Sequence, residues 1–255
     1  MMVRQVKYAF DLLEFFAQRR SPATLTEISD HFGWPRSSTF NLIETLTQTG
    51  YLHEPKLRGG YYPTRRLLSL ARTISASEPL PEELTDVVSS LARTTGETAI
   101  LGAIAGAQAI YLDVVESEQS IRYFAKPGDM VPMYATSIGR ALMSMMSDKE
   151  VAAVLSETKF HKYADNTPTS ATQVHDLLMK VRDLGYSLND NGYQPHLLGV
   201  AIPFDFQGRR MALMVAGPSF RMKDDVEGLV ATLRQQVKKS GASSPMKSVT
   251  ATEAK

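Results

Sequence analysis

Residues 24–62 read TLTEISDHFGWPRSSTFNLIETLTQTGYLHEPKLRGGYY, and this stretch decides the architecture of the first part of the chain. Thr24-Leu25-Thr26-Glu27 has the spacing of a capping box, in which a threonine and a glutamate three residues apart satisfy each other's backbone N–H groups. It opens a short helix bearing Leu25, Ile28 and Phe32, which Gly33 ends. Trp34-Pro35 starts the next helix, with Pro35 placed at the first helical position, where its missing N–H is not needed. On this helix Thr39, Leu42, Ile43 and Leu46 share one face, while Ser37, Phe40, Asn41, Glu44 and Gln48 share the other. One face packs and the other is free. After Gly50, two short strand-like runs, Tyr51-Leu52-His53 and Tyr61-Tyr62, flank a turn-rich tip that contains Lys56 and Arg58. Upstream, Val6, Ala9, Phe10, Leu13, Phe16 and Ala17 recur at helical spacing and predict an apolar stripe on a first helix, which Ser21-Pro22 closes. Three short helices followed by a basic hairpin make a winged helix-turn-helix, a module that sets its third helix into the major groove of duplex DNA.

Downstream, Thr64–Ser77 reads as a further helix with Leu67, Leu68, Leu70 and Ile74 on its apolar side, and Ser77-Glu78-Pro79-Leu80-Pro81 marks a boundary. Strands are expected at Thr98–Ala105, Ala109–Glu116, Ser120–Ala125, Gly199–Asp205 and Met211–Ala216. Helices are expected at Ser137–Met146, Gln173–Leu184 and Val226–Val237. Adjacent hairpins with helices grouped around them imply an α+β domain built on an antiparallel sheet. The expected division is residues 1–64 for the winged helix-turn-helix, 65–81 for a linker helix and linker, 82–240 for the second domain, and 241–255 for a disordered tail rich in Ser, Ala, Thr and Lys.

The 255 residues suit two domains, and a composition of 43% hydrophobic and 22% charged residues is that of an ordinary globular chain. The net charge of +1 conceals an asymmetry. Residues 1–75 hold ten Lys/Arg against six Asp/Glu, which leaves 18 against 21 for the rest. A basic first domain suits a polyanion. No cysteine is present, which excludes disulfides, zinc ribbons and cysteine nucleophiles. The absence of a signal peptide or apolar span predicts a cytoplasmic protein with no membrane partner.

These residues resemble the isocitrate lyase regulator, or IclR, family. The resemblance rests on Leu25-Thr26-Glu27-Ile28, Gly33-Trp34-Pro35-Arg36-Ser37-Ser38-Thr39-Phe40-Asn41-Leu42-Ile43 and Gly50-Tyr51-Leu52 in the first part. In the second it rests on Thr95-Gly96-Glu97-Thr98, Tyr111-Leu112-Asp113, Ala135-Thr136-Ser137-Ile138-Gly139-Arg140-Ala141-Leu142, Gly185-Tyr186-Ser187 and Val215-Ala216-Gly217-Pro218. It extends over residues 3–240 and implies a GAF-like effector-binding domain, a homodimer or a homotetramer built as a dimer of dimers, and control of transcription by a small molecule.

For DNA, the free face offers Ser37, Phe40 and Asn41 to base edges, with Arg36 and Ser38 placed for phosphate or guanine and Thr45 farther in. Asn41 suits a bidentate pair with adenine and Phe40 a thymine methyl. Lys56 and Arg58 would hold phosphate at the wing tip. The family commonly has Arg where Asn41 stands, so a different operator is expected. For the effector, the resemblance places an anion on the backbone of Ser137 and Ile138, at a helix start whose N–H groups and dipole favour one. It also places Asn189 where relatives that bind small oxo-acids have Asp, Gly199 where they have Cys, and Met214 and Ala216 where they have Ser. With Tyr123, Val131 and Leu197 as wall, these replacements predict a roomier pocket for a larger effector with one acid or hydroxyl group, an organic acid or related catabolic metabolite, aromatic ones included.

The rival readings are a small-molecule-binding enzyme of hydrolase type and a sensor whose helix-turn-helix contacts only protein. Against the first, Gly-x-Ser-x-Gly, His-Glu-x-x-His, the Walker loop and the dinucleotide fingerprint are all missing, and His31, His53, His161, His175 and His196 lack ligand spacing. No catalytic residue, cofactor or metal is expected. The expected partners are double-stranded operator DNA and a small-molecule effector.

Overall fold

A computed structural model describes residues 3–56, 59–77 and 80–242, of which 76 and 77 are described by backbone alone. The chain divides into two compact units after Pro79. Arg58 at the hairpin tip, and residues 243–255 of the expected tail, lie outside the described residues.

The first unit holds α1 (Arg4–Arg19), α2 (Leu25–Phe32), α3 (Arg36–Gln48), β1 (Leu52–His53), β2 (Tyr62–Pro63) and α4 (Arg66–Ser77). The capping box forms as the sequence requires: Thr24 accepts from the Glu27 N–H at 3.3 Å, and Glu27 accepts from the Thr24 N–H at 2.8 Å. Gly33 closes α2 at φ +65°. Pro35 lies one residue earlier than expected, as the cap of α3, with Arg36 the first helical residue. Trp34 fixes this turn by stacking on Phe32 and Tyr8, each with ring centroids 4.1 Å apart. The strands pair antiparallel, Leu52 opposite Pro63, and Ala23 bridges to Tyr61. A Cβ on Gly60, at φ +86°, would stand 2.5 Å from the Ala23 carbonyl carbon, so only glycine lets the hairpin return so close to the strand before α2.

The α1 stripe is a correction. The core takes Leu12, Phe15 and Phe16, with Tyr8 packed beside them, whereas Val6 and Phe10 stay exposed, Phe10 to 63%. α1 has two apolar stripes. Position 16 belongs to both, and the unit's small core contacts the one that also includes Leu12 and Phe15. Leu68, Leu70 and Ile74 of α4 are exposed as well.

The second unit runs α5 (Glu82–Thr95), β3 (Thr98–Ala105), β4 (Gln108–Val115), β5 (Met130–Pro132), α6 (Ser137–Ser144), α7 (Asp148–Glu157), α8 (Ala171–Leu184), β6 (Ser187–Asp190), β7 (Leu197–Phe206), β8 (Arg209–Pro218), α9 (Ser219–Met222) and α10 (Val226–Lys239). The six strands form one antiparallel sheet in the order β5-β4-β3-β8-β7-β6. Strand alternation splits its side chains between two cores. Ala99, Leu101, Leu213 and Val215 face a cluster with α5 and α10, while Ile100, Ala212, Met214 and Ala216 face another with α6 and α8. This mixed α+β architecture, an antiparallel sheet covered by helices, is the one the sequence predicts.

The expected strand at Ser120–Ala125 does not form, and β5 at Met130–Pro132 pairs with β4 instead. The segment around 117–123 is held by side chains rather than a ladder. The Thr98 hydroxyl accepts from the Ser117 N–H at 3.1 Å and donates to the Tyr123 carbonyl at 2.7 Å, and Arg221 donates to the Ile121 carbonyl. α5, α7, α9 and β6 are additions to the expected elements. Where α6 crosses the chain before it, a Cβ on Gly139 would lie 2.3 Å from Met133 Cα, so helix and backbone touch directly.

Candidate functional site

α3 presents the polar residues read from the sequence. Arg36, Ser37, Ser38, Phe40, Asn41, Glu44 and Thr45 are exposed, Phe40 to 49%, while Thr39 and Ile43 are buried. Ser38, Asn41 and Thr45 turn toward a groove shared with Arg4, Gln5, Val6 and Phe10 of α1. The Thr45 hydroxyl donates to the Asn41 carbonyl at 2.7 Å, which ties it to the helix. The Asn41 amide makes no hydrogen bond among the described residues and is free for one. Lys56 is exposed in the hairpin.

The second unit contains a small cavity of about 10 Å3 lined by Tyr111, Tyr123, Thr136, Ser137, Asn189, Tyr193, Leu197, Gly199, Met214 and Ala216. α6 points its N-terminus at it. Thr136 caps the helix by accepting from the Gly139 N–H at 3.2 Å, and the N–H groups of Ser137 and Ile138 have no acceptor among the described residues. Two unpaired donors at the positive end of a helix dipole form an anion-binding end. Across the cavity the Tyr111 and Tyr123 hydroxyls are 3.1 Å apart, so one donates to the other and the second proton is spare. Burial pushes the Tyr111 phenol well above its ordinary pKa and that of Tyr123 up to about 12, which keeps both protonated. None of the lining side chains is an acid.

Seven residues expected on sequence grounds meet here: Tyr123, Ser137, Asn189, Leu197, Gly199, Met214 and Ala216. Two take other places. Val131 is buried in β5 opposite Ala109 rather than at the cavity, and the Ile138 side chain packs over Gly102, leaving only its N–H toward the anion end. Gly199 does not enlarge the pocket as expected. The space a side chain would need is filled by the Ser137 hydroxyl, 2.6 Å from the site of a Cβ. Tyr111, Thr136 and Tyr193 complete the lining. The family-like Tyr111-Leu112-Asp113 run was a signal for the first, while the loop between β6 and β7 that carries Tyr193 has none.

Behind the cavity Arg140 is 2% exposed. It donates to the Tyr134 carbonyl at 3.1 Å, the Leu188 carbonyl at 2.9 Å and Asn189 Oδ1 at 3.0 Å. Among the described residues no cluster of His, Cys, Asp and Glu is arranged to hold a metal ion, and no helix is long and apolar enough to cross a membrane.

With this geometry in place, comparison with known proteins is decisive. Residues 6–55 match the IclR helix-turn-helix domain, and residues 73–242 match the bacterial transcriptional regulator IclR C-terminal domain. The chain belongs to the IclR family. Among curated IclR relatives, the regulator XynR of Escherichia coli is 24% identical over 94% of this chain and 95% of its own. The acetate operon repressor of Salmonella typhimurium is 28% identical over 88% and 83%. The fold is shared with an IclR regulator from Alicyclobacillus acidocaldarius, at 22% identity and TM-score 0.75 over 94% of this chain and 99% of that one. It is shared too with an IclR homolog from Microbacterium hydrocarbonoxydans complexed with 4-hydroxybenzoate, at 20% identity and TM-score 0.74 over 92% and 97%. This IclR-family protein is a DNA-binding transcriptional regulator controlled by a small-molecule effector, and not an enzyme; the hydrolase and DNA-independent sensor readings fall.

Proposed function

We propose that residues 1–64 read a duplex operator through Arg36, Ser37, Ser38, Phe40, Asn41 and Thr45, with Lys56 and Arg58 on phosphate, and that residues 82–240 hold a compact organic acid against α6, residues 65–81 linking the two. The observation that carries the effector assignment is the pair of unpaired N–H groups, Ser137 and Ile138, over a cavity lined by donors and aromatic rings but by no acid. A carboxylate seats on the N–H groups, and a ring lies between Tyr193, Leu197 and Ala216 with its far edge toward the Tyr111–Tyr123 hydroxyl pair. At about 10 Å3 the cavity holds little more than one water, so its walls must move apart to admit a ligand, and a one-ring acid asks less of them than a larger one. The fold relative that carries 4-hydroxybenzoate supports this class.

The exposed apolar pairs Val6/Phe10 and Leu70/Ile74, each four residues apart on one helix face, support a homodimer or homotetramer, because exposed apolar surface marks association and paired reading heads match two-fold operators. We place the protein in the cytoplasm, where its operator is. The effector couples to DNA by favouring one state of the assembly over another. Selection from random duplexes by the full-length protein tests the DNA half, and enrichment of one motif is expected. Calorimetric titration with 4-hydroxybenzoate and other small carboxylates tests the effector half. Recovery of no motif refutes the first, and failure of every carboxylate to bind refutes the second.

A further inference from the structure

At about 10 Å3 the cavity is shut, and its lining shows which wall can open. Strands of the sheet and the start of α6 carry eight of its ten lining residues, and Tyr123 is tied through its carbonyl to Thr98. Tyr193 instead stands on the loop between β6 and β7, residues 191–196. Tyr193 and Leu197 are also the two lining residues that are not fully buried. The cavity therefore comes nearest to solvent where this loop enters β7.

The loop has a hinge at each end. Asn191 and His196 hold φ of +54° and +60°, left-handed backbone that a residue with a side chain adopts at a cost, where its surroundings enforce it. The shut form enforces it: the Asn191 side-chain oxygen accepts from the His196 N–H, and the Asn191 N–H donates to the Leu197 carbonyl at 3.0 Å. Such residues at the ends of a short segment are where a change of backbone angles is absorbed, and opening releases their strain.

The latch lies outside the loop, on the segment between α7 and α8. Thr167, 6% exposed, accepts from the Tyr163 and Ala164 N–H groups at 3.0 and 2.8 Å and donates to the Gly192 carbonyl at 2.7 Å. The Ala164 carbonyl is 2.9 Å from the same hydroxyl, so its proton has a second acceptor once Gly192 leaves. Asn166 adds its N–H to the Asn191 carbonyl at 3.0 Å and its side-chain amide to the Asp190 carbonyl at 2.9 Å. The Tyr163 ring, on an exposed residue, lies 5.2 Å from that of Tyr193, so the ring that lines the cavity also leans on one at the surface.

We propose that residues 191–196 form a gate, with Tyr193 as its leaf and Thr167 as its latch, through which the effector enters and leaves while the sheet and α6 stay in place. The proposal rests on the reading of this cavity as the effector site and adds how that site is reached. Entry and exit pass through the same open state. The latch therefore sets both rates and leaves their ratio, the affinity, nearly unchanged.

The test uses the full-length protein. The chain has no cysteine, so one introduced thiol is a clean reporter. Met214→Cys places a side chain smaller than the original in the cavity, and its alkylation by iodoacetamide reads how often the cavity opens. In that background Thr167→Val, which keeps the shape and removes the latch, is expected to speed alkylation about 5- to 50-fold, the range for a buried carbonyl deprived of its donor. Thr167→Ser keeps the hydroxyl and should stay within about 2-fold of the parent, while Asn166→Ala, which loses one bond at an exposed residue, should gain about 2- to 5-fold. Thr98→Val loosens the opposite wall at Tyr123 and is the comparison. Unchanged alkylation in Thr167→Val overturns the proposal, and so does an equal or larger acceleration by Thr98→Val, which would mean entry past Tyr123 or through general unfolding. Should Thr167→Val not fold, Asn166→Ala decides by the same comparison. With 4-hydroxybenzoate as probe, stopped-flow binding to Thr167→Val should show association and dissociation faster together and Kd within about 3-fold of wild type, and unchanged association overturns the gate. If no carboxylate binds the wild-type protein, the effector reading fails by itself and alkylation still decides the gate.

Discussion

The Ser137 hydroxyl donates to the Met214 sulfur at 3.1 Å, in the space above Gly199 that a side chain would occupy. The three residues come from α6, β8 and β7, and together they fix the floor of the cavity. A Cβ on Gly199 would lie 2.6 Å from the Ser137 oxygen and 3.6 Å from the sulfur, so the hydroxyl is the part that must yield. Gly199→Ala should cost about 1–3 kcal/mol, the usual penalty for overpacking. Adding Ser137→Gly should recover most of it. A double-mutant cycle from thermal melts checks this, and additive losses would show that the two side chains do not compete.

At the reading helix, Asn41→Ala should relax preference at one operator base pair at a cost of about 1–3 kcal/mol, while Lys56→Ala should weaken all duplexes alike and reduce the salt slope by about 1. Gel shifts on a panel of single-base operator variants at several salt concentrations separate the two. Unchanged operator preference in Asn41→Ala would contradict the role assigned to it.

Trp34 stacks between Phe32 and Tyr8 where α2 hands over to α3. Trp34→Ala should remove about 3–5 kcal/mol from the first unit. Because the second unit has its own two cores, calorimetry of the full-length variant should show the early loss of one transition while carboxylate binding persists. Simultaneous loss of both would mean that the units fold as one.

Glu27 is held near a pKa of about 2 by the Thr24 N–H it accepts from, aided by Arg19, and Glu150 at about 2 by the Ser147 N–H, aided by Arg210. Each carboxyl is lowered on folding, so the stability it adds is full above the ordinary value of 4.5 and lost as pH falls from there toward about 2. The melting-temperature gap between wild type and Glu27→Gln should be complete at pH 6 and shrink below pH 4.5. A gap independent of pH would show that the charge of Glu27 adds nothing.

Thr98 replaces the strand expected at Ser120–Ala125 with two side-chain bonds, and its hydroxyl positions Tyr123 through that residue's carbonyl. Thr98→Val keeps the shape and leaves the Ser117 N–H and the Tyr123 carbonyl unpaired, at about 1–3 kcal/mol. Faster amide exchange at residues 117–123, with the sheet unaffected, is the expected signature, and unaltered exchange there would refute it.

The first unit was almost wholly legible because its signals are local. A capping box, a proline, two glycines and a basic tip each act within a few residues of themselves. The error there, the face of α1, arose because periodicity reports that an apolar stripe exists and says nothing about what covers it: α1 carries two, and only contact with α2, α3 and the hairpin chose between them. The expected strand at 120–125 failed for a related reason. Its alternation is strand-like, but a strand also needs a neighbour's backbone, and Thr98 and Arg221, distant in sequence, took those carbonyls.

By itself, the sequence determined the order of elements in the first unit, the polar outer face of α3 and the basic bias of the first 75 residues, since these follow from residue type and short-range spacing, whereas most of the cavity lining was placed by the family resemblance. Tertiary structure alone decided that Gly199 makes room for Ser137 rather than for ligand, that Tyr193 lines the cavity, and that Arg140 is buried with no ion-pair partner among the described residues. Those three facts depend on which atoms of separate elements come within a few ångströms of each other, and no spacing along the chain encodes such a distance.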